Sequence, residues 1–104
     1  MDIDISRGIE VGGYHYDILC GEGVDKYLRS CAKYGEHDPM QREVRISLAY
    51  SEQEFNDTFV HEVIEAVSNV YCNSGIKHDH INVLSHGLAQ VFKSLGINFT
   101  YKKG

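Results

Sequence analysis

His61-Glu62-Val63-Ile64-Glu65 puts one imidazole and two carboxylates within little more than one helical turn, inside an apolar run from Phe55 to Tyr71. Residues four apart on a helix stack on one face, so His61 and Glu65 aim at a common point with Glu62 beside them. The motif His-Glu-x-x-His uses this geometry to hold one metal ion on two imidazoles, the Glu being placed to move a proton. Here Glu65 stands where the second imidazole would be. Zinc takes nitrogen and oxygen donors alike, so a ligand is kept while its charge changes. An anionic ligand donates more charge than neutral imidazole and makes a metal-held water less acidic.

Catalytic zinc normally has three protein ligands, so a third donor is expected from the next element. His78 and His80 both follow the break Asn73-Ser74-Gly75. His78 precedes Ile81 by three residues and His80 precedes Leu84 by four, so helical periodicity does not separate them. Glu62 is the expected general base. Tyr50 and His37 are the candidates for stabilising a developing oxyanion. His86 shares a polar face with Asn82, Gln90 and Lys93 and is expected in solvent.

The elements that must position these residues follow from periodicity. Ile3 and Ile5, then Ile9 and Val11, alternate with polar residues, and Tyr14 to Cys20 is rich in aromatic and branched side chains; an opening meander of two or three strands is expected, with a bend or bulge at Gly12-Gly13. A short helix fits Val24 to Tyr34, and Gly35 to Pro39 reads as a turn. Val44, Ile46 and Leu48 mark a strand from Val44 to Tyr50, expected to be the edge along which an extended peptide lies. Ser51, with Glu54 three residues on, opens a helix from about Glu52 to about Cys72, whose buried stripe is expected to be Phe55, Phe59, Val63, Ala66, Val67 and Val70. A second helix runs from near Lys77–Asp79 to Leu95, its stripe of Ile81, Leu84, Leu88, Val91 and Leu95 facing the first. Ile97 to Tyr101 alternates again as a last strand on the sheet. The expected fold class is α+β: a small antiparallel or mixed sheet packed against two long helices, one domain over residues 1–104.

Composition narrows the function. With 42% hydrophobic and 24% charged residues, 104 residues suffice for a core without disulfide or metal staples. A net charge of −5, with Lys102-Lys103 the sole basic cluster, argues against a nucleic-acid partner. No apolar run approaches a bilayer span and the start lacks signal-peptide character, so no membrane association is expected. Cys20, Cys31 and Cys72 are odd in number and widely spaced, which fits a reducing cytoplasm.

The stretch from Val44 to Phe92 resembles the small zincin-like domains encoded in phages and prophages. The resemblance is carried by Val44-Arg45-Ile46-Ser47-Leu48, by Thr58-Phe59-Val60-His61-Glu62-Val63-Ile64-Glu65-Ala66-Val67, and by Ile76-Lys77-His78-Asp79-His80-Ile81 leading to Gly87-Leu88-Ala89-Gln90-Val91-Phe92. It is similar to a group with His-Glu-x-x-Glu and a downstream His. The resemblance implies a zincin-like metallopeptidase domain with zinc on His61, Glu65 and His78 and with Glu62 as catalytic base. It further implies a peptide or protein substrate in the cytoplasm of a bacterial host, or alternatively a non-catalytic phage accessory or regulatory protein that keeps the metal-binding scaffold.

Overall fold

The computed structural model describes residues 1–102; Lys103, half of the terminal basic pair, lies outside that range. In chain order the elements are β1 (Asp2–Asp4), β2 (Ile9–Val11), β3 (Tyr14–Leu19), α1 (Glu22–Ser30), β4 (Gly35–Asp38), β5 (Glu43–Ile46), α2 (Glu52–Cys72), α3 (His78–Ser94) and β6 (Asn98–Thr100). The fold is α+β, a mixed four-stranded sheet in the order β2-β3-β5-β4 packed against the two long helices. Gly12 and Gly13, with φ of 58° and 83°, form the two-residue turn that pairs Val11 with Tyr14, because such hairpins need positive φ at both central positions. β1 is not part of that hairpin. It pairs in parallel with β6 as a separate two-stranded ribbon, so the tail strand joins β1 and not the main sheet.

Two expectations about the sheet change places. Gly35–Asp38 is a strand and not a turn; Pro39 holds Asp38 extended, and the turn comes afterwards, where Asp38 Oδ1 accepts from the Met40 and Gln41 amides, each at 3.1 Å. The segment has no alternating apolar residues, which is why periodicity missed it. β5 is consequently interior, between β3 and β4, and β4 is the edge. β5 also ends at Ile46; beyond it, Leu48 is half exposed, with its amide bonded to Asp25 Oδ1 at 2.9 Å.

The free edge of β4 can be read residue by residue. The Ser47 amide donates to the Tyr34 carbonyl at 2.9 Å, and the register pairs Gly35 with Ile46 and His37 with Val44. Bonded and non-bonded pairs alternate in an antiparallel ladder, so Gly35 and His37 turn their amides and carbonyls away from β5. On the sheet's outer face Glu36 holds the strand in place, accepting from Tyr27 Oη at 2.9 Å and pairing with Arg45 and Lys33, each at 3.3 Å.

β4 lies directly on α2 because Gly35 has no side chain: a Cβ there would sit 2.4 Å from Thr58 Cγ2 and 3.1 Å from Glu62 Oε2. Ser51 caps α2, its hydroxyl accepting from the Glu54 amide at 3.1 Å, and α2 buries Phe55, Phe59, Val60 and Ala66 in a core with Val11, Tyr16, Ile18, Val44 and Ile46. Val67, expected in that stripe, is exposed. Asn56 ties α2 to β6, its side-chain oxygen accepting from the Phe99 amide at 2.7 Å. α3 packs on α2 through Ile81, Ser85 and Ala89 and not through the leucine stripe, because small side chains at four-residue spacing let the helix axes approach closely. Among the described residues, no helix is long and apolar enough to cross a membrane, and all three cysteines are free thiols.

Gly35→Ala forces β4 off α2 and is expected to cost about 1–3 kcal/mol, typical of overpacking. Because the first clash is with Thr58 Cγ2, adding Thr58→Ser to Gly35→Ala should recover most of the loss in thermal denaturation. Equal, additive losses in the double variant would disprove the close contact.

Candidate metal centre

An open cavity of about 590 Å³ lies between β4, α2 and α3. Its floor is the polar face of α2, where Glu54, Asp57, Thr58, His61, Glu62 and Glu65 recur at helical spacing. One wall is the chain from Lys33 to His37, the other the α3 residues His78, Asn82, Ser85 and His86. The α2–α3 connection sets the position of His78. Asn73 and Ser74 take left-handed conformations, the Ser74 amide donates to the Ser68 carbonyl at 2.9 Å, and the Ile76 amide donates to Ser68 Oγ at 3.3 Å. Ser68 thus fastens this loop.

His61, Glu65 and His78 converge. Glu65 Oε1 is 3.7 Å from His61 Nε2 and 3.3 Å from His78 Nδ1, and one donor atom from each of the three lies within 4.8 Å of the others. Bonds of about 2.0–2.1 Å to a tetrahedral ion would put ligand atoms roughly 3.3 Å apart. Two of the three separations are close to that, an arrangement that could hold one divalent cation. His80 is exposed on another side of α3 and does not line the cavity, so the tertiary structure separates the two histidines that periodicity left equivalent.

The electrostatics suit this chemistry. Burial lowers the His61 pKa; Glu65 opposes that, and His78 and His86 add to it. A neutral imidazole keeps the lone pair a metal needs. Glu62 is only 6% exposed, and burial, with the neighbouring Glu65 charge, pushes its pKa up to about 8. Lys33 pulls it back and Glu36 raises it further.

Sequence reasoning missed part of the site. His86 and Asn82 share a face with His78 at four-residue spacing and line the cavity, although His86 is exposed as expected. That spacing was the available signal; grouping His86 with Asn82, Gln90 and Lys93 as a solvent face left His78 out of the set. His37 projects from β4 on the Gly35 side and borders the cavity, its ring 5.7 Å from Tyr16. Among the described residues its Nε2 is the one buried side-chain nitrogen or oxygen without a hydrogen-bond partner, and burial lowers its pKa. Tyr50 packs edge-on against Tyr34 at 4.8 Å between centroids and does not line the cavity.

Comparisons with models of protein families, with curated proteins and with solved structures found no match for this chain.

Glu62 yields a pH prediction for the metal-free protein. Its ordinary pKa is 4.5 and its folded value about 8, so across that interval the folded chain binds more protons than the unfolded one. Stability therefore falls as pH rises through the interval. Glu62→Gln removes the penalty: the variant should match wild type near pH 4 and exceed it by a few kcal/mol, to order of magnitude, above pH 8 in denaturant titrations. A stability difference that does not vary with pH would show that Glu62 is already ionised in the folded chain.

Proposed function

We propose that this chain is a zinc-dependent peptidase in which His61, Glu65 and His78 hold the metal and Glu62 is the general base. The observation that carries the reading is the convergence of those three donors beneath a strand edge with unpaired main-chain groups. Two imidazoles and one carboxylate form a donor set suited to zinc. A bound ion would acidify a water and polarise the carbonyl to be cleaved. The protein's own residues supply the remainder. Gly35 and His37 present outward amides and carbonyls to which an extended peptide can add as a further strand, a mode that binds main chain with little regard to sequence. The cavity then receives side chains from one face of that peptide.

Glu62 is next to His61 in sequence and is held under β4 by the contact that Gly35 allows. Burial raises the proton affinity of its carboxylate, so a proton taken near neutral pH is held and can later be passed to the leaving amine. A cation at the triad would offset part of the burial and like-charge effects that keep Glu62 protonated, tuning it toward the working pH.

The test is a zinc titration of chelator-treated protein by calorimetry together with cleavage of unstructured casein fragments. One equivalent of zinc should bind. His61→Ala, Glu65→Ala and His78→Ala should each weaken binding by more than the roughly 10- to 100-fold that outer partners cost, with His80→Ala unchanged. Glu62→Gln should keep zinc while cleavage falls about 10²- to 10⁴-fold. Failure to bind zinc overturns the proposal. Zinc binding without cleavage, unaffected by Glu62→Gln, would assign the centre to a non-catalytic role in holding a partner.

A further inference from the structure

The stripe Ile81, Leu84, Leu88, Val91, Leu95 has spacings of 3, 4, 3 and 4, the seam pattern by which one helix packs along another. In the folded chain only Ile81 is buried; Leu84, Leu88, Val91 and Leu95 are 48%, 41%, 49% and 67% exposed. α2 takes the Ile81–Ser85–Ala89 face of α3 and leaves the seam uncovered. The apolar surface continues onto α2, where Val67 and Tyr71 are exposed and border, with Leu88 and Ile64, an apolar cavity of about 410 Å³. A second observation concerns Gly87, in the middle of α3. Glycine is a poor helix former, and a Cβ at this position would meet nothing within 4 Å, so no contact among the described residues calls for it. It lies beside Leu84, Leu88 and Val91, where a small residue would let a second helix come close.

We propose that this face of α3 binds a second copy of the chain, the two α3 helices packing antiparallel about a two-fold axis between Gly87 and Leu88. A helix suits this seam, since alternating steps of three and four fit the knobs and holes of another helix and Gly87 leaves room for its close approach. Identity of the partner follows from self-complementarity. With the axis there, Leu84 of one copy meets Val91 of the other, and Leu88 of each lies over Gly87 of its mate. The seam region from Ile81 to Leu95 contains no carboxylate, and its one lysine, Lys93, lies on the flank with His86, so two identical faces meet without like-charge repulsion. A chain of net charge −5 would otherwise resist self-association, which makes a charge-free face the place for it. His78, Asn82 and His86 occupy the opposite flank of α3, so both cavities stay open in the pair.

Sedimentation equilibrium of the full chain, at concentrations from about 5 to 200 µM, reads the association directly. The expected mass is twice 11.8 kDa. Leu88→Asp should raise the dimer dissociation constant at least tenfold with the helical circular dichroism unchanged. Gly87→Gln guards against misfolding: in the single chain it enters open space and improves helix propensity, yet it blocks the seat of Leu88 and should also yield monomer. A wild-type chain that is monomeric throughout overturns the proposal, as does a dimer that survives both substitutions.

Discussion

The missing side chain at Gly35 is the constraint on which the rest of this structure depends. Without it β4 settles on α2 at the level of Thr58 and Glu62, and the edge of the sheet comes to lie over the polar face of a helix. One contact thus gives Glu62 a lid and puts the outer edge of β4, with His37, on the same cavity as the His61–Glu65–His78 cluster. Glu36, held from outside by Tyr27, Lys33 and Arg45, keeps the strand seated from its other face.

Polar groups placed under a strand are costly unless they are hydrogen-bonded or neutralised, since a buried carboxyl or an orphaned imidazole nitrogen forgoes hydration. Glu62 answers by holding its proton, and His37 Nε2 remains without a partner. Both border one cavity, which adjoins the apolar core of Phe55, Phe59, Val44 and Ile46. α2 is therefore divided along its length, with one face in the core and one lining the cavity. Its buried Thr58 and Glu62 are the polar exceptions where the strand crosses.

α3 shows how side-chain size can override hydrophobicity in choosing a packing face. Ser85 and Ala89 are poorer apolar residues than Leu84 and Leu88, yet they are the ones buried, because the short loop pinned at Ser68 brings α3 in close and small side chains accommodate that approach. The same rotation directs His78, Asn82 and His86 into the cavity and leaves the larger apolar residues outside. The orientation that brings His78 to His61 and Glu65 is thus the one that exposes the seam.

Local chemistry was legible in the chain. Ser51 and Glu54 marked the start of α2, the alternation around Val44 and Ile46 marked β5, Gly12-Gly13 marked a bend that proved to be a hairpin turn, and four-residue spacing put His61 and Glu65 on one face; each depends only on near neighbours along the backbone. The sequence alone therefore determined the α+β class, the two long helices and two of the three converging donors. What separated His78 from His80, made β4 the edge in place of β5, and buried Ser85 instead of Leu88 was contact between residues distant in sequence. Those outcomes rest on a Cβ that Gly35 lacks and on a loop held by Ser68. Hydrophobic periodicity reports which residues favour burial, but only the tertiary packing decides which neighbour is close enough to bury them.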